Sequence, residues 1–257
     1  MSTAIREESI DVESGKLRIR RKGSGKPVLF LHGAQGMNVW PAYLDRVAEK
    51  AEVIAPDLPG FGRSPSGDSV SSVPDVARVM LDAIDLLKLD KVHVVGHCIG
   101  GWVALELGVR STKLASLTLI NAAGIHVDGV KKGDFFIASP EEFPELMFGD
   151  AKLGKSFFDA EGTAEFETIV FLNRLMAAKL AWSPRLFDPV LKKWLRRIKV
   201  PAQLIWGENN RVLPKEYGEG MAKMLAAAIS VIPGAGHFVQ IEKPDACAEK
   251  TLSFIAG

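Results

Sequence analysis

Six short runs, Val28 to Leu31, Val53 to Ala55, Val92 to Val95, Leu117 to Ile120, Leu204 to Trp206 and Ile229 to Ile232, are apolar at every or nearly every position. Strands with two apolar faces belong inside a parallel sheet that helices cover on both sides. Between the second and third runs, Val76, Met80, Ile84 and Leu87 repeat at helical spacing while Arg78, Asp82, Asp85 and Lys88 take the opposite side, which predicts one covering helix. The alternation continues to Ile120, stops, and resumes at Val200, so the 74 residues from Ile125 to Ile198 read as an insertion. The expected fold class is α/β, a mostly parallel doubly wound sheet. Residues 1–124 and 199–257 would form its core and 125–198 a helical cap.

The insertion holds nine of the 13 phenylalanines of the chain. Such density serves either to pack a thin helical layer on the sheet or to roof an apolar pocket. Elsewhere the composition excludes more than it suggests. With 32 Lys plus Arg against 31 Asp plus Glu, the net charge of +1 provides no field for nucleic acid or an anionic membrane. Neither a signal-peptide apolar core nor a run of about 20 apolar residues is present, so a soluble, cytoplasmic protein is expected. Cys98 and Cys247 form no zinc-like pattern, and no metal or cofactor is expected.

Chemistry concentrates in Val92-His93-Val94-Val95-Gly96-His97-Cys98-Ile99-Gly100-Gly101-Trp102-Val103-Ala104-Leu105-Glu106. A buried strand enters a sharp glycine-flanked turn and leaves as a helix, which projects Cys98 at the helix start. The amides and dipole there favour an anion, predicting a lowered thiol pKa. Cys247, in a C-terminal helical pattern, reads as a packing residue.

This turn resembles the nucleophile elbow of the α/β-hydrolase family, usually Gly-x-Ser-x-Gly, and the resemblance extends over nearly the whole chain. His32-Gly33-Ala34-Gln35-Gly36 is similar to the family's oxyanion loop and implies the amides of Ala34 and Ile99 as donors. Asp57-Leu58-Pro59-Gly60-Phe61-Gly62-Arg63-Ser64 looks like a structural loop of the family. The cap falls after the sixth strand, as in many members. Gly234-Ala235-Gly236-His237-Phe238 follows the last strand, where the family keeps its catalytic histidine.

Position favours His237 as base, on a flexible, glycine-flanked loop. His93 lies within a strand, His97 stands beside the nucleophile with no straight approach to sulfur, His32 braces its own loop, and His126 opens the cap in solvent. At the family's acid position this chain has Asn210, in Gly207-Glu208-Asn209-Asn210-Arg211-Val212-Leu213-Pro214. Either the acid lies elsewhere, with Asp128 and Glu208 as candidates, or the site has none. A thiolate and imidazolium resting as a pair would need only an orienting amide oxygen, as in Cys-His-Asn sites.

The expected protein is a hydrolase of an ester, thioester or lactone with an apolar or aromatic acyl part, working through an acyl intermediate on Cys98. Phe238, Phe171 and Arg174 are the expected substrate contacts, and a small apolar acyl compound the expected partner. Two rivals stand beside it. One is a carbon-carbon bond hydrolase of a diketone-like acid, with Arg174 receiving the acid; the other is a ligand-binding or catalytically impaired protein on the same fold.

Overall fold

The computed structural model describes residues 4–158 and 163–257, so residues 159–162 of the expected cap and 1–3 of the expected core lie outside the described residues. Eight strands form one sheet: β1 Arg6–Val12, β2 Gly15–Gly23, β3 Pro27–Leu31, β4 Glu52–Pro56, β5 Val92–His97, β6 Leu114–Ile120, β7 Ala202–Gly207 and β8 Ala228–Ile232. Their order is β1-β2-β4-β3-β5-β6-β7-β8. Every pair from β4 to β8 is parallel, whereas β1 and β2, and β2 and β4, are antiparallel. The six apolar runs all lie in the parallel part. The β1–β2 hairpin carries no comparable signal because charged residues such as Glu8, Arg18 and Arg21 alternate along it.

Side-chain alternation divides the core in two. Leu29, Leu31 and Val94 pack with Val76, Met80 and Ile84 of α2 (Val73–Leu86), Val103 and Leu107 of α3 (Ile99–Arg110), and Tyr217 and Met221 of α8 (Lys215–Leu225). Val28, Phe30 and Val95 face the other way, toward Tyr43, Leu44 and Val47 of α1 (Ala42–Ala48) and Cys247, Ala248 and Ile255 of α10 (Pro244–Ala256). Each buried Leu, Ile or Val contributes about 1.5–3 kcal/mol through loss of apolar surface to water. Cys247 is thus a core residue. The helix expected from Val76, Met80 and Ile84 is α2, whose start is capped by Ser72 accepting from the Asp75 amide.

Between β6 and β7 the chain forms the helical segment expected as a cap: α4 Phe143–Met147, α5 Ala151–Phe158, α6 Ala164–Ala181 and α7 Leu191–Trp194. A last short helix, α9 Val239–Glu242, follows β8. The parallel register pairs Leu31 with Gly96, His97 with Ile120 and Gly207 with Ile232, bringing these strand ends to one edge of the sheet. Strand order reverses between β3 and β5, the crevice where open α/β sheets bind ligands.

Candidate active site

Cys98 occupies the step from β5 to α3 with φ 51° and ψ −116°, a conformation that typically costs a non-glycine residue about 1–3 kcal/mol. The turn is held by the Cys98 amide donating to the Ile120 carbonyl at 3.1 Å, and by its carbonyl accepting from the Trp102 and Ala123 amides at 3.2 and 3.0 Å. Gly100 is required by close approach, since a Cβ there would collide with the carbonyls of Leu31 and His32.

In the loop after β3, the Gly36 amide closes a turn onto the Gly33 carbonyl at 3.0 Å. This turn presents the Ala34 amide to the Cys98 thiol, and the Ile99 amide at the start of α3 reaches the same sulfur. Both amides pull the thiol pKa down, but burial outweighs them and pushes it up to about 12. The thiolate expected from the helix start is therefore not the resting state. A sulfur 1% exposed loses more hydration energy as an anion than two amides and a helix dipole return.

His237 is fully buried. Its Nδ1 donates to Oδ1 of Asn210 at 3.2 Å, and the same oxygen accepts from the Val212 and Leu213 amides at 3.1 and 3.0 Å. These amide donors fix which way the Asn210 side chain points, and with it the imidazole tautomer. Nε2 carries the lone pair, and among the described residues it has no hydrogen-bond partner. Thus Asn210 and His237 are joined, while the Cys98 sulfur is received by the amides and not by Nε2. Burial, and then the neighbouring His97, hold the His237 pKa well below the ordinary imidazole value, so histidine and thiol are both neutral at rest.

The histidine loop, expected to be flexible, is pinned. The His237 and Phe238 amides donate to the Met147 carbonyl at 2.9 and 3.2 Å, so the end of α4 supports the His237 loop. Glu242 accepts from the Gly236 amide at 2.7 Å and the Gly149 amide at 2.9 Å. Asn121, at φ 43° just past β6, donates to the Gly236 and His237 carbonyls at 3.1 and 2.8 Å and accepts from the Gly207 amide at 3.0 Å. Sequence reading missed Asn121 and Glu242. The available signal was a polar residue directly after an apolar strand, of a type that tolerates positive φ.

Three of the other histidines are hydrogen-bonded into the structure around them, and His126 lies at the surface. His97 Nε2 donates to the His237 carbonyl at 2.9 Å, which joins elbow to histidine loop. His32 braces its loop, with Nδ1 donating to the Gly33 carbonyl and Nε2 accepting from the Leu58 amide, both at 2.9 Å. His93 bonds Ser116 Oγ at 2.8 Å, and His126 is half exposed beside Asp128.

Neither alternative acid bonds to His237. Asp128 is 82% exposed and pairs with His126 and Lys192 at 3.3 and 3.4 Å. Glu208 points outward and accepts from the Gly234 amide at 2.9 Å. The loop from Asp57 to Ser64 is structural, as expected: Asp57 is buried between Arg18 and Arg20 at 3.1 and 3.0 Å, and Arg20 also donates to the Met37 carbonyl.

A cleft of about 240 Å³ opens between the loop after β3 and the helical segment between β6 and β7, lined by Ala34, Gln35, Phe135, Phe136, Phe143, Phe171, Arg174, Leu175, Ala177, Ala178 and Trp182. Phe171 and Arg174, expected as substrate contacts, both line this cleft, with the Arg174 guanidinium 5.7 Å from the centre of the Phe143 ring. Phe238 does not line this cleft. It is buried among Phe148, Phe157 and Phe158, with ring centres 5.3, 6.1 and 6.4 Å away, because the residue after His237 turns toward the cap interior. Among the described residues no cluster of three or more His, Cys, Asp or Glu could hold a metal ion. No described helix is long and apolar enough to cross a membrane.

A family model described as alpha/beta hydrolase family matches residues 28–250. Similar curated proteins include a dihydrolipoyllysine-residue acetyltransferase component of the acetoin cleaving system from Cupriavidus necator, 29% identical over 91% of this chain. The chain spans 64% of that relative's length. A 2-hydroxy-6-oxo-6-phenylhexa-2,4-dienoate hydrolase from Burkholderia cepacia is 27% identical, over 94% of this chain and 92% of its own. Among solved structures, naproxen esterase from Bacillus subtilis superposes with a TM-score of 0.79 at 19% identity, covering 98% of this chain and 92% of that one. At that identity the likeness is one of fold.

Proposed function

This chain belongs to the alpha/beta hydrolase family, and from that premise we propose that it cleaves an activated ester, thioester or lactone with an apolar or aromatic acyl part. Cys98 is the nucleophile, His237 the base and then the acid, and Asn210 the residue that orients it. The observation that carries this reading is the pair of amides, from Ala34 and Ile99, converging on the sulfur of a strained residue at a helix start. Two preorganised donors at that point are what a tetrahedral intermediate needs for its oxyanion.

The neutral resting pair dictates the order of events. A substrate carbonyl oxygen displaces the sulfur from the amides, and the thiol proton passes to Nε2 of His237 as the carbon-sulfur bond forms. The resulting imidazolium donates through Nδ1 to the Asn210 oxygen and protonates the leaving group through Nε2. Water then attacks the thioester, giving its proton to Nε2, and the acid leaves as the thiol reforms. Proton transfer thus accompanies attack, and catalysis does not draw on a standing thiolate. The phenylalanines around the cleft support an apolar acyl group.

Release of nitrophenol from short and long acyl esters, with mass-spectrometric trapping of an acylated Cys98, tests this reading. Turnover that survives Cys98→Ala refutes it.

A second reading has one specific support. Arg174 lines the cleft and has no carboxylate partner among the described residues, and the Burkholderia cepacia relative is named for hydrolysis of a dienoate. A carbon-carbon bond hydrolase of a diketone-like acid would place that acid on Arg174. Retention of ester turnover with loss of dienoate turnover in Arg174→Gln would support it.

A further inference from the structure

Asn173 is fully buried although it belongs to α6 of the cap, whose neighbouring Phe171, Leu172 and Leu175 are exposed. Its side chain reaches two loops of the core at once. Nδ2 donates to the Gln35 carbonyl at 2.9 Å and contacts Oδ1 of Asn38 at 3.3 Å, while Oδ1 accepts from the Gly62 amide at 2.8 Å. Gln35 is the second central residue of the turn closed by Gly33 and Gly36, and Ala34 is the first. Gly36, at φ 73°, completes the fit: a Cβ there would collide with Nδ2 of Asn173. The far side of the clamp is rigid, because the Gly62 loop is tied through Asp57 to Arg18 and Arg20.

We propose that Asn173 is a positioning residue that sets the oxyanion turn from the cap, so that the Ala34 amide meets the developing oxyanion only when α6 is seated. This rests on the reading of Ala34 and Ile99 as oxyanion donors. The peptide joining Gln35 to Gly36 has its carbonyl held by Asn173 and its amide held by Gly33, so the turn has little freedom to tilt Ala34 away. Without the Nδ2 donor the Gln35 carbonyl is free to rotate, and a displacement of a fraction of an ångström at Ala34 weakens the oxyanion more than it weakens the neutral substrate. Next to Asn173, Arg174 faces the cleft, so cleft occupancy and the seating of this clamp share one helix.

The experiment uses the full chain with Asn173→Ala and with Asn173→Ser, whose hydroxyl fills part of the site but is too short to span Gln35 and Gly62 together. Arg63→Ala removes an exposed cap-to-core ion pair with Glu165 but keeps the Gly62 amide that Asn173 accepts from and the Arg63 amide that donates to Asp57, and it serves as the control. The readouts are kcat and KM on a nitrophenyl ester, the inhibition constant of the matching aldehyde, which adds to Cys98 and places an oxyanion at the amides, and that of the matching carboxylic acid. Both Asn173 variants should lower kcat about 10- to 100-fold with KM and acid binding nearly unchanged, and weaken aldehyde binding by a similar factor. Arg63→Ala should change none of these.

Unchanged kcat and aldehyde binding in whichever Asn173 variant folds would overturn the proposal, as would an equal loss in Arg63→Ala or a rise in KM alone. Failure of the underlying reading looks different: the unsubstituted protein would form no Cys98 adduct with the aldehyde, and both proposals would fall together.

Discussion

Oδ1 of Asn210 lies 3.2 Å from Nδ1 of His237, and its Nδ2 is buried with no hydrogen-bond partner among the described residues. The oxygen side of the amide is saturated by the histidine and two backbone donors, so orientation of the ring is complete. Charge compensation is what the amide cannot supply. With a neutral thiol and a neutral imidazole at rest, an imidazolium forms only during attack, and a dipole stabilises it less than a carboxylate would.

Asn210→Asp should therefore raise kcat/KM by about tenfold in the natural Cys98 background and by more in Cys98→Ser, whose alkoxide is harder to form. An aspartate retains both backbone donors and the Nδ1 bond, and removes the stranded Nδ2. Steady-state kinetics of the four combinations on one activated ester measure it. No gain in either background would mean that proton transfer does not limit the reaction.

Alkylation of Cys98 should be slow at pH 7 and should climb about tenfold per pH unit up to pH 10, as for a thiol pushed up to about 12. Cys247, also raised by burial and lacking the amides, should react more slowly still. Iodoacetamide labelling followed by mass spectrometry reads both. A plateau near neutral pH would indicate a standing thiolate and ion pair instead.

Acid should unfold the protein early. Burial lowers His97 from 6.5 to about 4, so the folded form binds this proton more weakly than the unfolded chain does. Stability is complete above pH 6.5 and is lost as pH falls toward 4, by up to about 3 kcal/mol from His97 alone. His32 and His237 shift in the same direction. Urea midpoints measured from pH 7.5 to 4.5 should fall across this window, and a flat profile would contradict it.

Asn121→Ala should lower kcat while leaving KM nearly unchanged. It deprives the Gly236 and His237 carbonyls and the Gly207 amide of their buried partner, at a cost of about 1–3 kcal/mol. A thermal shift without a kcat change would assign Asn121 to stability alone.

The parallel sheet, the helical segment between β6 and β7 and the step from strand to helix at Cys98 were readable from local pattern, because apolar periodicity and a glycine-bounded turn express short-range sterics. The same pattern placed His237 and Asn210 at strand ends, and the sheet register then brought their side chains together. It could not reveal the β1–β2 hairpin, whose charged alternation resembles a solvated segment until pairing with β4 gives it a core face. Nor could it rank burial against the helix-start amides at Cys98. That balance depends on how much water the cap and the oxyanion turn exclude, a sum over residues as distant as Ala34 and Ile99, and it reversed the expected thiol shift. Asn121, Asn173 and Glu242 were silent for a related reason. Their partners are backbone groups of distant loops, and a buried amide or carboxylate acquires a role only once tertiary packing has chosen which carbonyls and amides must be satisfied away from water.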